Sequence, residues 1–179
     1  MSNTHIALLR GINVGSAKRV AMADLRALVA NLGYADPRTL LNSGNAVFQV
    51  PRSVRGNHAA RIETAIAARL GIACRVTVLT TAQLGRIVNE NPLLPVASNP
   101  SRLLAAILAD PADRAKLLPL KDEAWGAEAL GIGSRAAYLW CPEGILRSRL
   151  AERIGRLLGD GVTSRNWTTL TKLYAMAQP

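Results

Sequence analysis

The chain has 179 residues, of which 49% are hydrophobic and 4% aromatic. A chain of this length buries roughly two thirds of its unfolded surface, so the composition supplies a core and excludes global disorder. The length fits one domain or two very small ones. The formal charge is +10, from 22 basic and 12 acidic residues, and points to anionic partners.

The basic charge is unevenly distributed. Residues 1–90 contain 11 basic and 4 acidic side chains, whereas residues 91–179 contain 11 and 8. An anionic partner is therefore expected on the first half. Arginine accounts for 18 of the 22 basic residues, a usage that also reflects genome composition, so the total charge alone does not indicate nucleic-acid binding.

The first half of the sequence predicts the element order β-α-β-β-α-β. A short apolar segment over residues 5–10 predicts the first strand. Apolar residues recur at helical spacing over residues 22–32 and 62–70, and a glycine follows each run, as is typical of helix ends. Further apolar segments predict three more strands, over residues 38–42, 46–50 and 74–80.

A segment rich in asparagine and proline separates the two halves. Thr80 and Gln83 have the spacing of a capping box and predict a short helix before it. Residues 89–101 then predict a linker. We therefore expect a first subdomain over residues 1–88, with the short helix at its end.

The second half repeats this order of elements. Residues 102–109 predict a strand. Asp110 and Pro111 predict the start of a helix, with aspartate as N-cap and proline in the first helical position. A hairpin is predicted next, over residues 128–132 and 136–141.

The C-terminal part predicts two helices with a short strand between them, over residues 162–164. The apolar stripe of the first helix consists of Leu146, Leu150, Ile154 and Leu158. The apolar face of the last helix consists of Trp167, Leu170, Tyr174 and Ala177. A second subdomain with the C-terminal helix then covers residues 102–179. The predicted fold class is α+β, with two tandem ferredoxin-like (βαββαβ) subdomains plus a C-terminal helix.

Cysteine and histidine are too few and too scattered to predict a disulfide framework or a metal site. Cys74 and Cys141 lie in apolar segments, and we interpret both as reduced thiols in the core. His5 and His58 belong to no ligand pattern, so we expect no metal and no cofactor. The first residues lack signal-peptide features, and no apolar segment reaches the length of about 18 residues that spans a membrane. We therefore expect a cytoplasmic protein with no membrane partner.

The loop after the first predicted strand combines glycine with basic residues. Glycines let backbone N–H groups turn towards a ligand, and concave arrangements of such groups bind anions. The basic side chains would add positive charge. The alternative interpretation is a plain glycine turn beside a solvated basic surface. The candidate residues of this loop are Arg10, Gly11, Asn13, Gly15, Lys18 and Arg19.

A second candidate segment lies in the first predicted hairpin, where Asn42, Ser43 and Asn45 surround Gly44. Turn chemistry alone explains this composition, because asparagine and glycine tolerate positive φ and serine caps turns. The topology favours a functional interpretation. In a βαββαβ sheet the strand order is 4-1-3-2, so the first two strands end at the same edge, two strand spacings or about 10 Å apart. The glycine-rich loop and this hairpin are therefore expected to converge.

A third candidate segment covers residues 163–173. Asn166 or Ser164 is placed to cap the last helix. Arg165 is expected at the N-terminus of that helix, where the macrodipole disfavours a cation; an anionic partner is one explanation and a solvated side chain is the other. We interpret Trp167 as a core residue, with stacking on a base or ring as the alternative.

Five segments, in chain order, carry a family resemblance. They are LRGINVG (residues 9–15), residues 18–26, LNSGNAVF (residues 41–48), Asn91-Pro92 and RNWTTLTKL (residues 165–173). Together they resemble the bacterial family named domain of unknown function 1697. The resemblance implies a two-subdomain α+β fold and no established activity, substrate or catalytic residue. The family more often has proline at the position of Ala21 and asparagine at that of Thr168.

From these features we predict a module that binds a phosphate-bearing ligand, either a nucleotide or another small molecule, or a nucleic acid. The sheet strands lack the paired aromatic residues of sheet-face RNA readers, so that form of RNA recognition is not expected. The candidate ligand-binding residues are Arg10, Gly11, Asn13, Gly15, Lys18, Arg19, Asn42, Ser43, Asn45, Arg165 and Asn166.

Two other functions stay open. An enzyme acting on a small phosphorylated or carboxylated substrate would use the same edge of the sheet, with asparagine side chains and N–H groups stabilising developing charge. No triad or carboxylate pair is evident, and we assign no catalytic role to Glu90, the only acid in a polar cluster. A protein-interaction or dimerisation module would use the apolar face of the last helix or a free sheet edge. We accordingly expect a monomer or a homodimer.

Overall fold

The computed structural model describes residues 3–15 and 18–178. Within them, eight strands form two four-stranded antiparallel sheets accompanied by six α-helices, so the chain is an α+β protein. The strands are β1 (Thr4–Leu9), β2 (Ala35–Thr39), β3 (Asn45–Gln49), β4 (Val76–Thr80), β5 (Leu103–Leu108), β6 (Ala129–Ile132), β7 (Ala136–Trp140) and β8 (Val162–Asn166). The helices are α1 (Met22–Asn31), α2 (His58–Leu70), α3 (Thr81–Asn89), α4 (Arg114–Leu117), α5 (Arg149–Leu158) and α6 (Trp167–Ala177).

The chain divides by its contacts into two units. The first contains Met1–Leu84 and Leu173–Pro179, and the second contains Gly85–Lys172. The predicted linker over residues 89–101 lies within the second unit in this division.

Contacts near the end of α3 show why this part of the chain groups with the second unit. The hydroxyl of Tyr138 on β7 donates to the carbonyl of Ile87 at 2.6 Å. The carboxylate of Glu90 accepts from the backbone N–H of Ser134 at 2.7 Å. Both bonds tie the segment to the β6–β7 hairpin.

The first sheet has the strand order β2-β3-β1-β4, the order expected for its elements. β1 and β2 both pair with β3 in the antiparallel sense, so they run parallel to each other and end at the same edge of the sheet. β1 is central, and Ile6 and Ala7 pair with Val47 and Ala46 of β3. Residues 6–9 of β1 are all fully buried, so the strand is covered on both faces, which explains why it is continuously apolar rather than alternating.

The core of the first unit lies between this sheet and helices α1 and α2. Phe48 of β3 is fully buried there. The helices contribute residues at spacings of three and four, among them Leu25, Val29, Ile62 and Ile66. This is the pattern from which both helices were predicted.

The edge strand β2 differs from the expected one. It covers Ala35–Thr39 and ends before residues 40–42, which were predicted to belong to it. It is largely exposed, and its pairing with β3 shifts between Ala35 and Arg38, where Asp36 has a φ of +47°. An exposed, irregular edge strand has no alternating apolar pattern, so the sequence signal for it is weak.

The second sheet has the strand order β6-β7-β5-β8, with antiparallel neighbours throughout. β5 is central and buried along its length. The second core packs Leu104 and Leu139 of the sheet against Leu150 and Ile154 of α5.

The predicted helix start at Asp110 and Pro111 is confirmed, whereas one helical expectation for the second unit is wrong in detail. Asp110 is the N-cap of a 3-10 turn at Pro111–Asp113, which is followed by the one-turn α4 and a second 3-10 turn at Leu118–Asp122. Leu146 does not belong to the apolar stripe of α5, because that helix begins only at Arg149, and the Leu146 side chain is exposed. Ser148 is the N-cap and accepts from the N–H of Ala151, which fixes the start of the helix.

The capping box before α3 is confirmed. The Thr80 N–H donates to the Gln83 side-chain carbonyl at 2.9 Å, and the Gln83 N–H donates to the Thr80 hydroxyl at 3.1 Å. In the part of the chain that the structure describes, no helix has both the length and the apolar character needed to cross a bilayer.

Candidate functional site

Two segments of the first unit meet at the edge of its sheet where β1 and β2 end. One is the connection from β1 to α1, residues 10–21, which we call the glycine loop; its residues 16 and 17 lie outside the described part. The other is the connection from β2 to β3, residues 40–44, which we call the asparagine turn. The N–H of Leu9 donates to the carbonyl of Gly44 at 2.8 Å, at the point where the two segments come together.

The side chain of Asn13 joins the glycine loop to the asparagine turn. Its amide nitrogen donates to the carbonyl of Asn42 at 2.6 Å and to the carbonyl of Val20 at 2.8 Å. Its amide oxygen accepts from the N–H of Val20, also at 2.8 Å. The residue has a φ of +54°, which asparagine tolerates better than most residues. These contacts assign Asn13 a positioning role, because its amide is occupied within the protein.

Gly44 allows the two segments to approach closely. It has a φ of +76°, and a Cβ atom there would lie 2.7 Å from Leu9 Cβ and 2.7 Å from Ile12 Cδ1. Real Cβ contacts are not this short, so only glycine fits without displacement. This glycine therefore serves packing as well as turn geometry.

Asn45 and Ser43 organise the asparagine turn internally. The Asn45 side chain is fully buried, and its amide nitrogen donates to the carbonyl of Leu40 and to the hydroxyl of Ser43, each at 2.9 Å. Asn42 and Ser43 are exposed. Of the three polar residues predicted here, Asn42 alone also lines the cleft described next.

A cleft of about 580 Å³ opens between the glycine loop, the asparagine turn and the start of α1. Its lining combines amide, guanidinium and apolar groups with backbone, from Asn13, Arg19, Val20, Ala21, Met22 and Asn42. We call it the Arg19 cleft. The volume lies within the range of small-molecule sites, about 300–1,000 Å³.

The Arg19 cleft contains the N-terminus of α1. The N-cap residue is Ala21, which makes no side-chain capping bond, whereas Asn57, the N-cap of α2, accepts from Ala60. The N–H groups of the first turn of α1 are therefore left to an acceptor other than an N-cap side chain. Asp24, the acidic residue of that turn, is exposed and partly offsets the positive end of the helix dipole.

The remaining predicted residues of the glycine loop lie near the cleft-lining residues along the chain but do not belong to the described lining. Gly11 and Gly15 have φ values of +64° and +62°, and Lys18 has +51°. The carbonyl of Lys18 accepts from the N–H of Asn13 at 3.1 Å. The N–H of Arg10 donates to the carbonyl of Arg75 at 2.8 Å, so Arg10 is anchored to the segment before β4.

Arg165 and Asn166 belong to the second unit, and the expected position of Arg165 is wrong. It lies in β8, paired with Ala105 of β5, and not at the helix N-terminus. Its side chain is 9% exposed, and burial lowers the pKa of the guanidinium to about 10, so it stays charged at pH 7. Its Nη1 donates to the carbonyl of Ser164 at 2.8 Å. The strand runs to Asn166 because its pairing with β5 continues past Arg165 to the pair of Asn166 with Leu104.

Asn166 and Trp167 have structural roles in the second unit. Asn166 accepts from the N–H of Thr169 at 2.9 Å and so caps α6. Trp167 is buried and packs edge-on against Tyr138 with the ring centroids 6.2 Å apart. This burial agrees with the interpretation of Trp167 as a core residue.

The cysteines and histidines form no second candidate site. Cys141 is buried and Cys74 is half-buried, and both are unpaired thiols. The Nδ1 of His58 shares a 2.9 Å hydrogen bond with the hydroxyl of Tyr34, and burial lowers the pKa of the imidazole. Residues 3–15 and 18–178 contain no cluster of three histidine, cysteine or acidic side chains suited to a metal ion.

Comparison with known proteins assigns the family. A family model described as a protein of unknown function (DUF1697) matches residues 2–138. The chain belongs to this family. The DUF1697 match contains both the glycine loop and the asparagine turn and ends before Arg165. No curated protein matches the chain in sequence.

The fold of the DUF1697 protein is similar to that of a solved structure, the conserved bacterial protein SP0830 from Streptococcus pneumoniae, with a TM-score of 0.80 and 20% sequence identity. The alignment covers 99% of this chain and 100% of that chain. At this identity the likeness concerns the fold alone.

The sequence alone missed the start of α1 as part of the site. Three residues around this helix start line the cleft, namely Val20, Ala21 and Met22. None of them is polar, and the helix start lacks a side-chain cap. The available signal was the Ala21 position itself, directly before a helical pattern where serine, threonine, aspartate or asparagine is usual.

Proposed function

We propose that the chain binds a phosphate-bearing ligand in the Arg19 cleft. The observation that carries this proposal is the juxtaposition, in one cleft, of an exposed arginine with a helix start whose N-cap is alanine. Helix N-termini favour anions through their unsatisfied N–H groups and the macrodipole.

The arrangement supplies the chemistry that phosphate recognition requires. Arg19 is exposed and provides up to two parallel N–H donors to phosphate oxygens. Asn42, on the asparagine turn, also belongs to the lining. Asn13 holds the carbonyls of Val20 and Asn42, so both walls of the cleft are fixed before a ligand arrives. A preformed site loses less entropy on binding.

Binding is proposed rather than catalysis because of the groups that line the cleft. The described lining contains amides, one guanidinium, apolar side chains and backbone, and holds no histidine, cysteine or carboxylate side chain. An acid–base or nucleophilic mechanism requires one of the latter or a hydroxyl group positioned at the reacting atoms.

We also propose that both units follow the ferredoxin-like βαββαβ plan. The support is that the two sheets have corresponding strand orders, with a helical connection after the first and third strand of each. The unpaired thiols of Cys74 and Cys141 support a reducing compartment such as the cytoplasm.

The test is a titration of the full chain at low salt with three anionic probes: inorganic phosphate, pyrophosphate and a short single-stranded RNA. The variants are Arg19→Ala and, as matched control, Arg55→Ala. Arg55 is an exposed arginine of the same unit in the connection after β3, which lies at the other end of the sheet. We expect Arg19→Ala to weaken binding of the small anions about tenfold or more, and Arg55→Ala to leave it unchanged.

The salt dependence distinguishes the two ligand sources. RNA bound through several phosphates loses affinity with a log–log slope of about −0.7 for each contacted phosphate of a single strand, whereas a small anion gives a shallow slope. Equal losses in Arg19→Ala and Arg55→Ala would contradict the proposal, because non-specific attraction by the net charge would then explain binding. Failure of every probe to bind the wild type would contradict it as well.

A further inference from the structure

Two exposed apolar residues adjoin, in the chain, residues that line the Arg19 cleft. In the described part of the first unit, the large apolar side chains that are exposed are Val14, at 71%, and Leu41, at 56%. The other exposed residues of this kind belong to the second unit. Single exposed apolar residues are ordinary on protein surfaces, so the position of this pair is what matters.

Both residues are chain neighbours of the hydrogen bond that joins the two segments of the site. Val14 follows Asn13, whose amide donates to the carbonyl of Asn42 at 2.6 Å. Leu41 directly precedes Asn42. Asn13 and Asn42 also line the cleft. Val14 and Leu41 therefore rise from backbone adjacent to the cleft lining, one on each segment.

The backbone conformation at Leu41 is unfavourable for leucine, so the presence of an apolar residue there calls for an explanation. Leu41 has a φ of +56°, a region in which glycine, asparagine and aspartate are favoured and leucine costs about 1 kcal/mol or more. The side chain recovers little of this by burial in the protein, because it is more than half exposed. A ligand surface would bury the leucine that the fold leaves in water.

We propose that the ligand of this site is a nucleoside monophosphate, with the phosphate in the Arg19 cleft and the base and ribose against Val14 and Leu41. The inference rests on the proposed function and names its ligand class. The cleft offers a cation and a helix start, and the exposed apolar residues adjoin two of its lining residues in the chain. This combination complements a ligand that has one charged end and one apolar, planar body.

A free nucleotide fits these features better than a polynucleotide. Readers of single-stranded nucleic acid stack successive bases on exposed aromatic rings along a sheet or groove. The strands of the first sheet contain one aromatic residue, Phe48, and it is fully buried. Two aliphatic side chains provide contact for a single base.

The experiment compares probes that share the phosphate and differ in the apolar body. Wild-type affinities for inorganic phosphate, ribose 5-phosphate, uridine monophosphate and adenosine monophosphate are measured by calorimetry at low salt. We expect the nucleoside monophosphates to bind at least about tenfold more tightly than ribose 5-phosphate, because the base buries apolar surface. A tetranucleotide is included as the polynucleotide probe.

Three variants assign the effect to the apolar pair. Leu41→Asn and Val14→Ser are each expected to weaken nucleotide binding about threefold to tenfold and to leave inorganic phosphate binding unchanged. Leu41→Asn is informative because asparagine suits a positive φ, so its melting temperature is expected to equal or exceed that of the wild type. Leu146→Asn, at an exposed leucine of the second unit, is the matched control and is expected to change neither affinity.

The outcomes separate this inference from the proposed function. If ribose 5-phosphate binds as tightly as the nucleotides while Arg19→Ala weakens both, the phosphate site stands and the nucleotide inference is wrong. A tetranucleotide that binds far more tightly than the mononucleotides, with a steep salt dependence, also overturns the inference. If no phosphate-bearing probe binds the wild type, both proposals are wrong.

Discussion

The two sheets have corresponding strand orders, and yet the helical segments that follow their central strands begin differently. In the second unit, the segment after β5 begins at Pro111 with Asp110 as N-cap, whose carboxylate accepts from the N–H of Ala112 at 2.9 Å. In the first unit, α1 follows the glycine loop, and its N-cap is Ala21, which offers no side-chain acceptor.

The hairpin turns next to these helix starts differ in the same way. In the β6–β7 turn, the Ser134 N–H and hydroxyl bond to the carboxylate of Glu90, at 2.7 and 2.8 Å, and Arg114 donates to the carbonyl of Gly133 at 3.0 Å. The asparagine turn of the first unit is held by uncharged amides, and the charged Arg19 beside it lines an open cleft.

The comparison shows that the same strand order carries differently built helix starts and turns. The second unit uses its charged side chains to satisfy its own helix start and turn. The first unit holds its turn with amides and leaves a guanidinium and an uncapped helix start at the cleft. The proposed site therefore depends on the caps and loops that are placed on this strand order.

The largest effect is expected from Gly44→Ala, which separates the glycine loop from the asparagine turn. The added Cβ would lie 2.7 Å from Leu9 Cβ at a φ of +76°. We expect the free energy of unfolding to fall by about 3 kcal/mol, from the positive φ and the overpacking together. Urea unfolding measures this. Gly155→Ala in α5, where a Cβ meets nothing within 4 Å, is the control and should be neutral or stabilising; wild-type stability in Gly44→Ala would refute the close approach.

The next largest effect is expected from Asn13→Ala, which removes one hydrogen bond to the asparagine turn and two to Val20 within the glycine loop. We expect a loss of about 2 kcal/mol in the free energy of unfolding, since each bond contributes about 1 kcal/mol and part is recovered by water. Phosphate affinity should fall in the same variant, because Val20 and Asn42 are no longer held. Asn31→Ala, at an exposed position near the end of α1, should change neither quantity. Unaltered phosphate affinity in Asn13→Ala would show that the cleft does not depend on this residue.

Two substitutions at the N-cap positions test the difference between the helix starts of the two units. Ala21→Asp gives α1 the cap that Asp110 provides in the second unit; we expect about 1 kcal/mol of added stability and weaker phosphate binding, because a carboxylate then occupies the N–H groups. Asp110→Ala should cost about 1 kcal/mol without affecting phosphate binding. Thermal unfolding with and without phosphate measures both. Full phosphate affinity in Ala21→Asp would mean that the anion does not use the start of α1.

The smallest effect concerns Glu90 and depends on pH. The hydrogen bonds from Ser134 lower the pKa of the Glu90 carboxyl below its ordinary value of 4.5. A carboxyl with a lowered pKa stabilises the fold above its unfolded pKa, and this contribution disappears as the pH falls through the folded pKa. Glu90→Gln should therefore lower stability by about 1 kcal/mol at pH 7 and progressively less below pH about 4.5. Glu143→Gln, at an exposed position, is the matched control for loss of a surface carboxylate. A pH-independent loss in Glu90→Gln would contradict the ionic interpretation.

Much of the fold could be predicted because local pattern determines it. The central strand β1, the end of α2 at Gly71 with a φ of +65°, and the cap formed by Thr80 and Gln83 each depend on residues close in sequence. The irregular edge strand β2 and the 3-10 turns after Pro111 depend instead on packing against other segments. Their local sequence does not contain that information.

The candidate site was predicted as a place and not as a set of roles. The strand order indicated that the glycine loop and the asparagine turn converge, and the cleft lies there. Composition could not distinguish an amide available to a ligand from an amide that holds the backbone. The side chains of Asn13 and Asn45 are of the second kind, because both donate to backbone carbonyls. The position of Arg165 was predicted wrongly because a residue at the junction of a strand and a helix fits the strand pattern and the helix pattern equally well.

The irregular strand β2 has a consequence for self-association. Its proline, Pro37, offers no N–H, the pairing register shifts beside it, and Asp36 has a left-handed backbone. Arg38 also donates to the carbonyl of Met176 at 3.0 Å, so the C-terminal segment is tied to this edge. Such an edge is a poor template for strand addition by a second chain. We therefore expect this side of the first sheet to resist edge-to-edge aggregation during folding, and any dimer of the protein to form through another surface.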